Sequence, residues 1–325
     1  MMLQWIRPLG AAFLALALLS CATAPTRPAG PPPTPIAEIP YRIDYQGWIT
    51  VDTMVNASGP YDFIVDSGAT ITSAFENLAS RQIFERSPRP DIRILGLTGA
   101  RKLPAYVLGD IEIASERLEN HVGVILPDWA PPNTPPQGII GLDFLTRYDI
   151  LFDASSRTMR LYAKETESDA IVGNWARAPL ESMIVDEESL PIFRTAARVR
   201  GESIPCIIDL GASGTIFNSA AYRAMTGGLY VDRQGMGGFS TGTRIQDVFD
   251  TFDGARPVKI SKLQIGNGTW FNHVAIVYDA QIFTEFGVQN RPFCLVGADV
   301  FADRSFLLDF EDEEIRIGPR RRREG

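Results

Sequence analysis

Three cysteines in a chain of 325 residues are too few for a disulfide scaffold or a four-thiolate zinc site. With only two histidines, His121 and His273, catalysis that relies on several imidazoles is not expected, and a two-histidine metal site lacks further ligands at recognisable spacing. His-Glu-x-x-His is absent, which removes the usual zinc-protease signature. Basic residues do not dominate: 31 Lys and Arg stand against 39 Asp and Glu, a formal net charge of −8, so nucleic acid is not an expected partner. A second long apolar run is also missing, which argues against a polytopic membrane protein. At 45% hydrophobic and 22% charged residues the composition is that of a folded globular chain, long enough for two domains.

What is present begins with an address. Arg7 precedes an apolar stretch over residues 9–19, too short for a bilayer-spanning helix, and Leu18-Leu19-Ser20-Cys21 follows. This resembles a bacterial lipobox, so residues 1–20 read as a signal peptide and Cys21 as a lipidated first mature residue. Residues 21–40 carry seven prolines, an extended spacer that would hold a folded body away from a membrane. The expectation is a lipid-anchored envelope protein facing the periplasm, with Ala22 after the cysteine favouring the outer membrane. Two acyl chains would make a stable anchor.

The body is one unit written twice. Asp66-Ser67-Gly68-Ala69-Thr70 and Asp209-Leu210-Gly211-Ala212-Ser213 each follow a short apolar strand. Each precedes an expected helix, over residues 74–83 and 218–225. Asn120-His121-Val122 then matches Asn272-His273-Val274, each heading a strand. Ile139-Ile140-Gly141-Leu142-Asp143-Phe144 matches Leu295-Val296-Gly297-Ala298-Asp299-Val300, and Ile150-Leu151-Phe152-Asp153 matches Phe306-Leu307-Leu308-Asp309. Landmarks recurring in one order imply two similar units. Their bounds are residues 41–163 and 177–318, with a polar connector at 164–176 and a basic tail at 319–325. Short strands and frequent Gly/Pro punctuation give an all-β fold class with a few short helices.

Asp-Ser-Gly-Ala-Thr after an apolar strand, with apolar-apolar-Gly some 75 residues on, resembles the retropepsin-like aspartic protease family, and the resemblance covers both units. It implies two acid-protease lobes in one chain, related by a pseudo-twofold and working as a monomer. It further implies Asp66 and Asp209 as a catalytic pair that hydrolyses an extended polypeptide without a cofactor or metal. Ser67, Gly68, Ala69, Thr70, Gly211, Ala212 and Ser213 would support their loops. Two carboxyls held close cannot both ionise, so one keeps a proton while the other acts as base. Family members carry Ser or Thr after each aspartate; Ser67 fits and Leu210 does not. Leu210 leaves open a second reading, an inactive relative that binds extended peptides. Ala69 and Ala212 leave the carboxyls few hydroxyl partners, which points to a weakly acidic to neutral optimum.

Gly96, Leu97, Thr98 and Gly99 in the first unit, and Gly237 and Gly238 in the second, resemble glycine-rich flap hairpins that cover a bound peptide. If the strands adjoin as in the family, Cys206 and Cys294 lie opposite one another and can form a disulfide in an oxidising compartment. Phe63 and Gly138 are their counterparts in the first unit.

Overall fold

In the computed structural model the described residues are 31–128, 135–185, 190–227, 243–246 and 251–321. The signal peptide, Cys21, the second flap segment with Gly237 and Gly238, and tail residues 322–325 lie outside them. The chain is mostly strand and closes into two six-stranded barrels, the architecture of two pepsin-like lobes.

The first barrel runs through Ile49–Val55, Ser58–Val65, Gly138–Ile140, Ser73–Phe75, Glu116–Leu126 and Ala105–Ile113, and closes where the last pairs with the first. The second repeats this course with Ile192–Val199, Glu202–Ile208, Cys294–Val296, Ile216–Phe217, Gly268–Val277 and Thr251–Ile265. In each, a two-residue turn with positive φ at both positions joins the first two strands. Asn56 and Ala57 form it in one lobe, Arg200 and Gly201 in the other. Such turns match the right-handed twist of the flanking strands. Each hairpin's second strand then delivers an aspartate, Asp66 or Asp209.

A six-stranded sheet joins the lobes, in the order Ala176–Pro179, Glu314–Arg320, Arg304–Asp309, Asp149–Asp153, Thr158–Tyr162 and Ala37–Ile43. Three strands come from each half. At its centre Ile150, Leu151 and Phe152 face Leu308, Leu307 and Phe306, a register symmetric about Leu151 and Leu307. Phe152 and Phe306 stack with ring centroids 4.5 Å apart. The outer strand Ala37–Ile43 buries Ala37, Ile39 and Tyr41 and turns Glu38, Pro40 and Arg42 outward, the period of two that a half-covered strand requires. That strand starts within the stretch read as linker, because residues 37–40 pair with Leu161–Thr158. Similarly, Arg320 ends a strand rather than opening a tail, and its guanidinium meets Asp303 at 2.6 Å.

Two local expectations change. Residues 74–83 do not form one helix: Ala74 and Phe75 belong to a strand paired with Gly138 and with Ile125–Leu126, and the helix is only Glu76–Ala79. Barrel closure needs that strand, and tertiary pairing overrides the local pattern. The second lobe has Ser219–Met225 as its helix, with Asn218 Oδ1 accepting from Ala221 N at 2.8 Å. Asn120 and Asn272 do not head their strands but lie inside them, both with positive φ.

The joining sheet buries a carboxyl it does not satisfy. The register that sets Ile150 against Leu308 brings Asp149 opposite Asp309, where the other side of the pseudo-twofold pairs Asp153 with Ser305. Asp309 accepts from Ser168 Oγ at 2.6 Å and Asp312 N at 2.8 Å. Asp149 is fully buried, and neither carboxyl oxygen has a hydrogen-bond partner among the described residues. Burial, then the charge of Asp309, pushes its pKa up to about 8. The folded state therefore keeps this proton where an unfolded carboxylate has lost it. Its stability contribution is intact below the ordinary carboxylate range and is lost as pH rises toward about 8. Asp149→Asn is expected to gain stability over the native chain as pH increases, by about 1–3 kcal/mol near the top of that window. Denaturant unfolding at pH 5, 6.5 and 8 tests this; a stability difference that stays constant with pH would refute it.

Candidate active site

Each aspartate sits where its strand ends over a tight turn. Asp66 N donates to Ile140 O at 2.9 Å and Asp209 N to Val296 O at 3.0 Å, which ties both to the apolar-apolar-Gly segments beneath. Those segments return the contact: Leu142 N donates to Ala69 O and Ala298 N to Ala212 O, both at 2.8 Å. The turns aim amides at the carboxyls. Gly68 N and Ala69 N donate to Asp66 Oδ1 at 2.8 and 3.1 Å, and Ala212 N donates to Asp209 Oδ1 at 3.0 Å.

The two loops meet across the lobes. A Cβ built on Gly68 would stand 2.7 Å from Asp209 Cγ, and one on Gly211 would collide with the carboxyl of Asp66. Glycine is needed here for close approach, since neither residue has positive φ. The two carboxyls and the Gly211 amide lie close enough for each to act on the ionisation of the pair. Both aspartates are half-buried. Burial raises the pKa of Asp66 against the opposing pull of its amide donors. Burial and then the charge of Asp66 push Asp209 up to about 8. Burial of both groups, and the charge of Asp66 beside Asp209, favour the protonated form.

Ser67 reaches over from the first lobe. Buried, its Oγ donates to Ile208 O at 2.8 Å and accepts from Leu210 N at 3.1 Å. The reciprocal grip is missing. Leu210 is fully buried and packs into the hydrophobic core instead. Thr70 is half-buried and Ser213 exposed, and among the described residues neither side chain hydrogen-bonds to a carboxyl of the pair.

Residues 51–144 match the aspartyl protease family. The match takes in Asp66, the first Asp-Ser-Gly-Ala and the Gly-Leu-Asp-Phe segment, and supports a general aspartic protease function. It stops before the second copy of the motif. No curated protein matches the chain.

A cradle beneath the loops escaped the motif reading. Thr72 N and Oγ1 donate to Asp143 Oδ1 at 2.9 and 2.7 Å, and Thr72 Oγ1 accepts from Gly141 N at 3.0 Å. The second lobe repeats it: Thr215 N and Oγ1 donate to Asp299 at 3.0 and 2.9 Å, and Gly297 N donates to Thr215 Oγ1 at 3.3 Å. A histidine stands beside each cradle. His121 Nε2–H donates to Thr72 O at 2.8 Å, and His273 Nε2 lies 3.1 Å from Asp299 Oδ2. Recurrence of Asn-His-Val at matched positions was the available signal, and it denotes support beneath the aspartate loops. A Gly-x-Ser-x-Gly string, Gly238-Phe239-Ser240-Thr241-Gly242, also occurs in the sequence but lies outside the described residues.

Cys206 and Cys294 are bonded, with Cα atoms 4.4 Å apart on parallel strands. In the first barrel Phe63 and Gly138 pair in the same register, and the Phe63 ring fills the space a Cβ on Gly138 would need. Gly96, Leu97, Thr98 and Gly99 form the tip of a hairpin, Ile92–Gly96 with Gly99–Leu103, closed by a two-residue turn.

Ser67→Ala would orphan Leu210 N and Ile208 O at the buried seam. We expect a loss of about 1–3 kcal/mol in unfolding free energy, read by denaturant titration. A loss below about 0.5 kcal/mol, the lower edge for an ordinary net hydrogen bond, would show that the seam does not depend on this hydroxyl.

Proposed function

We propose that the chain is an aspartic endopeptidase that cleaves an extended polypeptide between its two lobes. The observation that carries this is the interlock of the two loops, which brings each carboxyl, Asp66 and Asp209, against the other lobe's glycine and within reach of its partner's charge. In the resting pair one carboxyl is protonated. The ionised member takes a proton from a water lying between them as that water attacks the scissile carbonyl carbon, and the protonated member gives its proton to the carbonyl oxygen. The tetrahedral intermediate then collapses with breakage of the C–N bond, the amine leaving with a proton returned by the pair. Base and acid both come from the chain, so these steps call on no cofactor. Hairpin Ile92–Leu103 would cover the peptide, and Cys21 would tether the enzyme to an envelope membrane. No helix among the described residues is long and apolar enough to cross one.

Incubation of protein from residue 22 onward with a diverse peptide mixture, read by mass spectrometry, tests the proposal. Asp66→Asn and Asp209→Asn are each expected to lower kcat by about 10²–10⁴-fold. Loss in Asp66→Asn alone would point instead to a dimer built from first lobes. Leu210, where the family carries a hydroxyl, favours a second reading, a peptide binder that does not cut. Retention of peptides by an intact chain that cleaves none would establish it.

The elevated pKa values set the pH profile. One proton must stay on the pair, so activity should persist at neutral pH and decline as pH rises through about 8. A kcat/KM profile that peaks in strong acid and vanishes by neutrality would contradict this.

A further inference from the structure

The first-lobe hairpin does not stand free over the cleft. Its strands Ile92–Gly96 and Gly99–Leu103 carry residues of two characters on two faces. Ile92, Ile94 and Leu103 pack down against a core cluster of their own lobe that includes Trp48, Ile64 and Phe75. Arg93 lies in the alternate register, directly opposite Lys102 on the partner strand. Two like charges facing one another across a hairpin repel. Arg93 is answered from the other lobe: its guanidinium meets Glu285 at 2.6 Å, at the end of the short helix Gln281–Glu285. At the hairpin tip Gly99, with φ of +121°, lies so close to Gln281 at the start of that helix that a Cβ would come within 2.8 Å of its amide carbon. One helix of the second lobe therefore touches the hairpin at both ends of the helix, by charge at Glu285 and by close contact at Gln281.

We propose that Arg93 and Glu285 form an interlobe latch that fastens this hairpin to the second lobe and, with the hairpin covering the peptide as in the endopeptidase reading, must open to admit a polypeptide. The inference rests on the endopeptidase reading for its purpose, though not for its geometry. An extended peptide that lies between the lobes and is covered by the hairpin meets a hairpin fastened to the far lobe. Threading a chain end would leave the fastening intact; entry of an internal segment requires it to part. With side chains 33% and 26% exposed, the pair is shielded enough to matter yet wet enough to exchange and to feel salt. Arg93 and Glu285 would thus control access to the cleft without touching the reacting atoms, which makes them positioning residues.

The closing experiment reads the latch without activity first. Hydrogen exchange of the hairpin amides, residues 92–103, would be compared in the native chain, Arg93→Gln, Glu285→Gln and the doubly swapped Arg93→Glu/Glu285→Arg, at low and high salt. Each single variant is expected to speed exchange by about two- to fivefold at low salt, the range of a partly exposed ion pair. The swapped chain should return toward the native rate, and high salt should bring the native rate toward the single variants. Unchanged exchange in the single variants overturns the latch. So does equally fast exchange in the swapped chain. The second arm measures kcat/KM on long polypeptides, expected to rise by a similar factor in the single variants with kcat little altered. A rise in exchange without any rise in kcat/KM in a chain that does cleave would overturn the role in admission. Faster exchange in a chain that cleaves nothing would leave the latch standing and remove the endopeptidase reading instead.

Discussion

Everything in this molecule is arranged around two carboxyls that water would rather keep apart. Asp66 and Asp209 are pressed together at the seam of two barrels, where burial works against their ionisation. The structure offsets that cost with fixed donors: amides of Gly68 and Ala69 on one side, of Ala212 on the other. Glycine at positions 68 and 211 is what lets each loop come within reach of the opposite carboxyl. Such an arrangement is stable only if the two lobes cannot drift. The continuous sheet centred on Leu151 and Leu307, with Phe152 stacked on Phe306, supplies that constraint.

The two lobes share a backbone frame and differ in how they fill it. Phe63 over Gly138 in one barrel occupies the position of the Cys206–Cys294 bond in the other. Ser67 spans the seam by hydrogen bonds, and its counterpart Leu210 turns inward to apolar packing. Asp153 faces Ser305, whereas the equivalent pairing on the far side is Asp149 against Asp309. Each exchange falls where neighbouring strands already hold the backbone, so the side chain can change chemistry without moving the frame. The seam grip has consequently become one-sided, carried by a single hydroxyl.

Much of this frame was legible in the sequence. The aspartate loops, the apolar-apolar-Gly segments and the hairpin tip at 96–99 are local patterns, and each depends on residues a few positions apart. The adjacency of residues 206 and 294 is what the family resemblance implied, and the large residue beside a small one at matched positions 63 and 138 agreed with it. Elsewhere local reading failed. Ala74 and Phe75 have no intrinsic need to be extended; the strand Gly138–Ile140, more than sixty residues away, imposes it. Thr72, Asp143 and His121 are ordinary polar residues until the fold stacks them under the Asp66 loop. The unpartnered carboxyl of Asp149 likewise follows from register alone, since nothing near it in sequence forecasts that Asp309 will stand opposite.

By itself the sequence laid out the recurring landmarks and the two Asp-x-Gly-Ala turns. These are encoded in short-range periodicity and in the steric demands of single residues. Only the tertiary structure decided that the two carboxyls are buried beside one another, that the seam is held from one side, and that the first hairpin is fastened to the second lobe by Arg93 and Glu285. Those outcomes depend on distances between residues up to 192 positions apart. Close packing of the two barrels sets such distances, and no pattern along the chain contains them.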